Sequence, residues 1–478
     1  MFSVVIPAAG SGTRMDQTLP KALTPFNGST FLEWQIKKFE NISDQIYVIV
    51  AESQYQLFKS HRDLNNLNYN IIIQNDGKGS FFAIKSVISQ IKSKFLLICW
   101  VDQIGLSRSI ILQTITQFLI TDCAALVPLI YQEEPYVKAI IGQDAKLTSW
   151  EYRREGDLPK EGYTDLGFFA FQTASLKKCI ESIEDEKYFT SRLTDEFNFL
   201  DALPYFSQTF LLEFLFTFDK LNTVAVNTKD DLSRAEKIIS KDRLKTLYSI
   251  IIPSYNEARQ LPRLLQELNK LYNEAKENKE YELEIIFVDD GSSDNTHEIL
   301  LDYSFNYLYQ QNSGKGAAVK LGTKSAKGDY ILVLDADGEY LISDIPRLVE
   351  FSLKNPTNII YGSRYLTGKT IKVRVLPISG QSILNLYFNY FLSFLILFRF
   401  RVFITDSLTG YKIYHRELYN KVNPTTKGFE TDHELSKQIL KWGIRINEYQ
   451  ISYIPRSKKD GKKISMIDAF KAVIMWLK

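Results

Sequence analysis

Cysteine and histidine are scarce. Three cysteines (Cys99, Cys123, Cys179) stand far apart in 478 residues with no CxxC pair, which predicts neither a disulfide framework nor a zinc site and suits a reducing compartment. Four histidines (His61, His297, His415, His433) are equally scattered, and none is assigned a ligand role. The N-terminus runs directly into SVVIPAAG without a basic leader, so no signal peptide is expected. Long hydrophobic runs are missing too. The most apolar stretch, LNLYFNYFLSFLILF at 384–398, is interrupted by an Asn and falls short of the ~20 residues that a membrane span needs.

What is present is the composition of an ordinary globular protein, 45% hydrophobic and 24% charged, long enough for two to four domains of ordinary size. The net charge of +2 conceals an asymmetry: residues 364–478 hold 20 Lys/Arg against 8 Asp/Glu, a net +12, and the preceding residues a net −10. Such a block attracts nucleic acid, anionic lipid or a phosphorylated substrate. No nucleic-acid module accompanies it, so lipid or phosphate is favoured. Two readings of 384–398 stay open: a buried core helix, or a helix lying on a membrane surface between Arg374, Arg399 and Arg401.

The chain begins twice. FSVVIPAAGSG at 2–12 is echoed by LYSIIIPSYNEA at 247–258, with Ser3–Pro7 and Ser249–Pro253 in step. After each start, apolar β-rich runs alternate with amphipathic stretches: VVIP, QIYVIVA, YNIIIQ and KFLLICWVD, then YSIIIPSYN, LEIIFVDDG, NYLYQQ and DYILVLDADG. Strand–helix alternation predicts α/β units with mostly parallel sheets and ligands at the strands' carboxyl ends. The expected domains are 1–240 and 247–478, joined through the charged segment SRAEKIISKDRLKT.

The motifs after the two starts differ. AAGSGTRMDQTLPKAL at 8–23 places Gly10 and Gly12 where backbone N–H groups can approach phosphates, with Arg14 and Lys21 as cations. The pair AAGxGTRM and PKAL resembles the nucleotidyltransferases that join a sugar phosphate to a nucleoside triphosphate and release pyrophosphate, closest to the N-acetylglucosamine-1-phosphate uridylyltransferase type. The resemblance implies nucleotide binding by Ala9, Gly10, Gly12, Gln74, Gly79 and Ser80, with Arg14 and Lys21 catalytic. It implies Mg²⁺ on Asp102 and Asn227, and sugar phosphate on Glu151 and Asp165. Val101 stands where the family usually has Gly, and Asp165 where it usually has Asn. Cytidylyltransferases share much of the pattern, so the base stays open between uracil and cytosine.

In the second half IIIPSYNEA, FVDDGSSDNT, NSGKGAAVKLG and VLDADG follow in order. This signature resembles family 2 glycosyltransferases of the GT-A fold, and the whole chain is thus expected to be two tandem Rossmann-like, GT-A-type domains. The resemblance implies donor binding by Pro253, Glu257, Asp289, Asp290 and Lys315, a catalytic Asp337, and Mg²⁺ or Mn²⁺ on Asp335, Asp337 and Glu339. Glu339 replaces a frequent Gln. YGSRY, DSLTGYKIYHRE, GFETDHEL and ISYIPRSKKDGKK look like the polyprenyl-phosphate (dolichyl-phosphate) sugar transferases. That likeness implies that Arg364, Arg374 and Ser379 hold an acceptor phosphate, and Arg456 with Lys459 the diphosphate side. The expectation is a bifunctional enzyme of glycan assembly, cytoplasmic and peripheral on the membrane, working on a nucleoside triphosphate, a sugar phosphate and a nucleotide sugar, with no nucleic acid. Rival readings give the transferase a soluble or glycan acceptor, or make one half a degenerate scaffold.

Overall fold

The computed structural model describes residues 2–10, 19–43, 45–74, 79–153, 159–183, 197–240, 244–356, 358–367, 372–373, 383–428, 430–442, 444–455 and 466–477. Gly12, Arg14, Arg374, Ser379, Arg456 and Lys459 lie outside the described residues. The chain divides into two compact units, residues 1–244 and 245–478.

In the first unit the run SVVIP is central because it is apolar on both faces: Val4, Val5 and Ile6 are fully buried, as a two-sided parallel strand requires. Strand Phe2–Pro7 is flanked in parallel by Ile46–Ala51 and Phe95–Cys99, and Asn70–Gln74 pairs beyond Ile46–Ala51. The antiparallel strand Phe168–Gln172 follows Phe95–Cys99 and then meets Ala125–Glu133. Leu212–Thr217 pairs parallel and Glu161–Asp165 antiparallel with Ala125–Glu133, completing eight strands. Phe169, Phe171, Phe199 and Phe206 stack edge to face in the core.

The second unit has the order Asn306–Tyr309, Tyr281–Asp289, Thr246–Ser254, Tyr330–Val333, Lys412–His415, Ile359–Ser363, Ile446–Gln450. The first four strands are parallel, Lys412–His415 is antiparallel to both neighbours, and Ile446–Gln450 is parallel to Ile359–Ser363. The echo of Ser3–Pro7 in Ser249–Pro253 therefore extends to topology. In both units the first strand is central, with the second and third to one side and the fourth to the other. An antiparallel strand follows the fourth, then a strand that takes a parallel neighbour.

The apolar stretch forms most of a helix, Ile383–Phe400, with one face buried and the other exposed. Leu386, Asn389, Leu392, Ser393 and Ile396 are buried, whereas Leu384, Tyr387, Phe391, Phe394 and Phe398 are exposed. The exposed set recurs every three or four residues and so forms one continuous stripe. Among the described residues no helix is long and apolar enough to cross a membrane.

Candidate active sites

In the first unit a cleft of about 540 Å³ opens at the carboxyl ends of the central strands, lined by Gly10, Lys21, Ser80, Asp102, Asp165 and Asn227 among others. Ala9 lies between the lining residues Ala8 and Gly10. Asp102 follows strand Phe95–Cys99 in a turn held from behind by the helix Phe31–Lys38. Gln35 Nε2 donates to the carbonyls of Trp100, Val101 and Gln103 at 3.2, 3.3 and 2.9 Å. The fully buried Lys38 donates to Gln103 and Ile104, and Trp34 Nε1 to Ile104. That helix starts at a capping box between Thr30 and Glu33. A second capping box does the same for Asn227: Asp231 accepts from the amides of Asn227 and Thr228 at 3.1 and 3.0 Å. The Val226 amide bonds to the Asp102 carbonyl at 3.1 Å, so the two turns lie side by side.

Lys21 joins them. Its Nζ donates to Asp102 Oδ2 at 2.6 Å and to Asn227 Oδ1 at 2.8 Å. Gln74 donates to the Gly79 carbonyl at 3.4 Å. Gly79 has φ +105°, and a Cβ there would collide with the Phe197 carbonyl, so only glycine fits. Ser80 opens the next helix and accepts from the Phe199 amide at 2.9 Å. Asp165 is pushed up to about 6 by burial, opposed by the Gly167 amide that it accepts at 2.7 Å. Glu151, expected at the sugar phosphate, lies in the strand Leu147–Tyr152. It is absent from the cleft lining and pairs at 3.5 Å with Lys138; strand alternation turns its neighbour Tyr152 into the cleft instead.

In the second unit the corresponding strand ends carry the expected residues, in roles the motifs did not disclose. Pro253 lies in the central strand opposite Val288. The Glu257 amide donates to Thr296 Oγ1 at 3.0 Å and the residue is buried. Asp289 is fully buried and accepts from the Ser292 amide at 2.9 Å and the Tyr307 hydroxyl at 3.2 Å. Asp290 accepts from Gln310 Nε2 and from the Ser313 and Gly314 amides at 2.7–2.8 Å. It thus shapes the turn that delivers Lys315. Lys315 Nζ meets Asp335 Oδ1 at 2.6 Å. Burial acts to lower the Lys315 pKa, but the Asp335 and Asp432 carboxylates outweigh it and hold it up. Lys412, 3.6 Å from Asp432, is lowered by burial and by the charge of Lys315. A Cβ on Gly410 would lie 2.7 Å from Asp335 Oδ2, which is why the DSLTG segment ends in glycine.

Two further residues of the expected sites are engaged within the protein. Asp337 Oδ1 accepts the Glu339 amide at 3.0 Å, but Glu339 Oε2 accepts the Tyr453 hydroxyl at 2.6 Å. No group of three or more His, Cys, Asp or Glu that could hold a metal forms among the described residues, so Asp335, Asp337 and Glu339 do not converge as a three-carboxylate centre. Arg364 is engaged in a bidentate pair with the fully buried Asp406, at 2.7 and 2.8 Å, and lies over the Tyr453 ring at 4.8 Å. Its charge is matched before any phosphate arrives. Behind it, Glu448 accepts from the Thr405 amide and hydroxyl and from the Asp406 amide at 2.7–2.9 Å, and burial raises its pKa to about 7. Asn389, in the apolar helix, donates to the Thr405 carbonyl at 2.6 Å and accepts from the Ser407 amide at 3.1 Å.

The donor sets fit a hard divalent ion that shares its shell with phosphate. Asp102 and Asn227 aim two oxygens at one cation, the Lys21 ammonium, and Asp335 aims one at Lys315; Mg²⁺ is usually held by one or two carboxylates plus phosphate and water.

Sequence comparison assigns the two units separately. Residues 4–153 match the MobA-like NTP transferase domain and residues 249–422 match Glycosyl transferase family 2. A dolichyl-phosphate beta-glucosyltransferase of Saccharomyces cerevisiae is 30% identical over 280 residues, 53% of this chain and 80% of that protein. One from Trichomonas vaginalis is 30% identical over 243 residues, 48% and 72% of the two chains. The solved structure of HddC from Yersinia pseudotuberculosis complexed with GMP-PN covers 50% of this chain and 99% of its own, at 20% identity and a TM-score of 0.38. Both units are mixed α/β domains of GT-A type. The chain belongs to the glycosyl transferase family 2 line that includes these relatives, and with the MobA-like NTP transferase domain ahead of that domain it is a bifunctional transferase.

Proposed function

We propose that the first unit joins a sugar 1-phosphate to a nucleoside triphosphate with release of pyrophosphate, and that the second moves the sugar from the nucleotide sugar to a polyprenyl-phosphate acceptor of the dolichyl type. The observation that carries this reading is the presence, in one chain, of two strand-end cation–carboxylate pairs on matching sheets, one in an NTP-transferase domain and one in a family 2 domain. The product class of the first chemistry is the donor class of the second. In the first cleft, attack of one phosphate on another must overcome anion–anion repulsion. Lys21 lowers it, and the turns carrying Asp102 and Asn227 fix the reacting groups. Mg²⁺ or Mn²⁺, when bound to Asp102 and Asn227 or to Asp335 with Asp337, would add charge neutralisation at the phosphates. The second reaction needs no general base, because a phosphate acceptor is already ionised at neutral pH.

A lipid phosphate must be met at a membrane surface. The exposed stripe Leu384, Tyr387, Phe391, Phe394 and Phe398, ended by Arg399, is suited to lie in the headgroup boundary with the chain peripheral on the cytoplasmic face. The test is a panel of sugar 1-phosphates with each of the four nucleoside triphosphates, scored by pyrophosphate release. Radiolabelled nucleotide sugar with polyprenyl phosphate follows, scored by label in the organic phase. Label that stays aqueous with every polyprenyl phosphate, while a soluble acceptor is glycosylated, refutes the lipid acceptor.

A further inference from the structure

Both clefts contain a pairing that neither motif set explains. Lys21 Nζ is 2.6 Å from Asp102 Oδ2, and Lys315 Nζ is 2.6 Å from Asp335 Oδ1. In both pairs the lysine side chain is 15% exposed and the carboxylate 23%, so the contact is partly buried and open to exchange. An ammonium at hydrogen-bond distance takes the position that a divalent ion would take on the same carboxylate, with one positive charge in place of two. The two cations repel at such separations in a partly buried cleft, so they exclude each other. In the first unit the overlap is complete, because Asn227 Oδ1 is also turned to the lysine, at 2.8 Å.

We propose that Lys21 and Lys315 are placeholder cations. Each holds its carboxylate while no phosphate is bound, and each leaves for the phosphate oxygens when a nucleotide enters, freeing the carboxylate for the divalent ion. The exchange leaves no charge unmatched: the carboxylate trades an ammonium for the ion, and the ammonium trades a carboxylate for phosphate. Metal and phosphate then bind with positive coupling, and by linkage each raises the affinity of the other by the same factor. The inference rests on reading the clefts as divalent-cation and phosphate sites.

The test is Mn²⁺ binding to the full chain, followed by the electron paramagnetic resonance of free Mn²⁺, with and without pyrophosphate. Wild-type protein should bind Mn²⁺ weakly alone and more tightly with pyrophosphate. Lys21→Met and Lys315→Met should each bind Mn²⁺ alone ~10-fold more tightly, with the pyrophosphate effect reduced, in line with ordinary coupling factors. Asp102→Asn added to Lys21→Met should remove the gained site. Lys21→Gln and Lys315→Gln, checked by thermal unfolding, serve where the methionine variants do not fold. Unchanged or weaker Mn²⁺ binding in the folded variants of a unit overturns the proposal for that unit. Wild-type protein that binds no Mn²⁺ even with pyrophosphate overturns the underlying reading of the clefts as well.

Discussion

Replacing Asn389 with leucine separates composition from structure. By hydropathy, Asn389→Leu completes the apolar run and should stabilise the helix Ile383–Phe400. The structure gives the opposite sign. Asn389 is fully buried, donating to the Thr405 carbonyl at 2.6 Å and accepting from the Ser407 amide at 3.1 Å. Leucine leaves both backbone groups without this partner. At ~1–3 kcal/mol for each of the two unsatisfied buried groups, less ~1 kcal/mol for the added apolar contact, the net loss is ~1–5 kcal/mol, centred on ~3 kcal/mol. With a urea slope of ~2–3 kcal/mol/M, the midpoint of the second unit should fall by ~1 M. Hydrogen exchange of peptides covering 383–415, followed against urea in the full chain, reads that unit alone. Transfer should fall too, since Thr405 and Ser407 flank Asp406, the partner of Arg364. Pyrophosphate release by the first unit should not change. A midpoint equal to or above wild type would refute the reasoning.

Other outcomes follow from the same geometry. Asp102→Ala should abolish pyrophosphate release while transfer from supplied nucleotide sugar persists; loss of both activities in the folded variant would show that the units are not independent. Asp337→Asn should lower transfer by orders of magnitude across a Mg²⁺ and Mn²⁺ titration, whereas near-normal transfer at low metal would leave Asp337 a turn residue. Burial raises Glu448 from the usual 4.5 to about 7, so between those values the folded state holds more protons than the unfolded and this group's contribution falls as pH rises. Stability of Glu448→Gln relative to wild type should therefore rise from pH 4.5 to 7 and level off above, and a pH-independent difference would refute the assignment. Phe391→Glu with Phe394→Glu should abolish co-sedimentation with anionic liposomes at low salt, and absence of wild-type binding would remove the surface-helix role.

Period-two and apolar-run patterns made the parallel strands legible, since a two-sided strand such as Val4–Ile6 must be apolar throughout. IIIPSYNEA, FVDDGSSDNT and VLDADG run off the carboxyl ends of the strands Thr246–Ser254, Tyr281–Asp289 and Tyr330–Val333, as parallel topology demands. What could not be read was how each polar side chain is used. Arg364 looked like a free phosphate ligand because its partner Asp406 is 42 residues away; likewise Glu339 looked like a metal ligand while its partner Tyr453 is 114 residues away. Glu151 and Tyr152 are adjacent, and only strand alternation decides which enters the cleft. Gln35 and Lys38, polar residues of the helix Phe31–Lys38, are fully buried on carbonyls of the Asp102 turn. The one visible clue to such support was Asn389, a polar residue inside an apolar run.

The lysine–carboxylate pair reaches the same place by two routes. In each unit the carboxylate lies just beyond the fourth parallel strand, Asp102 after Cys99 and Asp335 after Val333. The lysine does not come from a matching element. Lys21 belongs to the segment between the first and second strands, whereas Lys315 opens the helix between the third and fourth. A pair retained only by shared descent would draw both members from corresponding positions. Here the sheet fixes the carboxylate and different loops supply the cation, so the common cause is electrostatic: a strand-end carboxylate in a half-buried cleft needs a counter-charge, from whichever loop can reach it. That freedom in the loops lets one sheet topology serve an NTP transferase domain in one unit and a family 2 glycosyl transferase domain in the other.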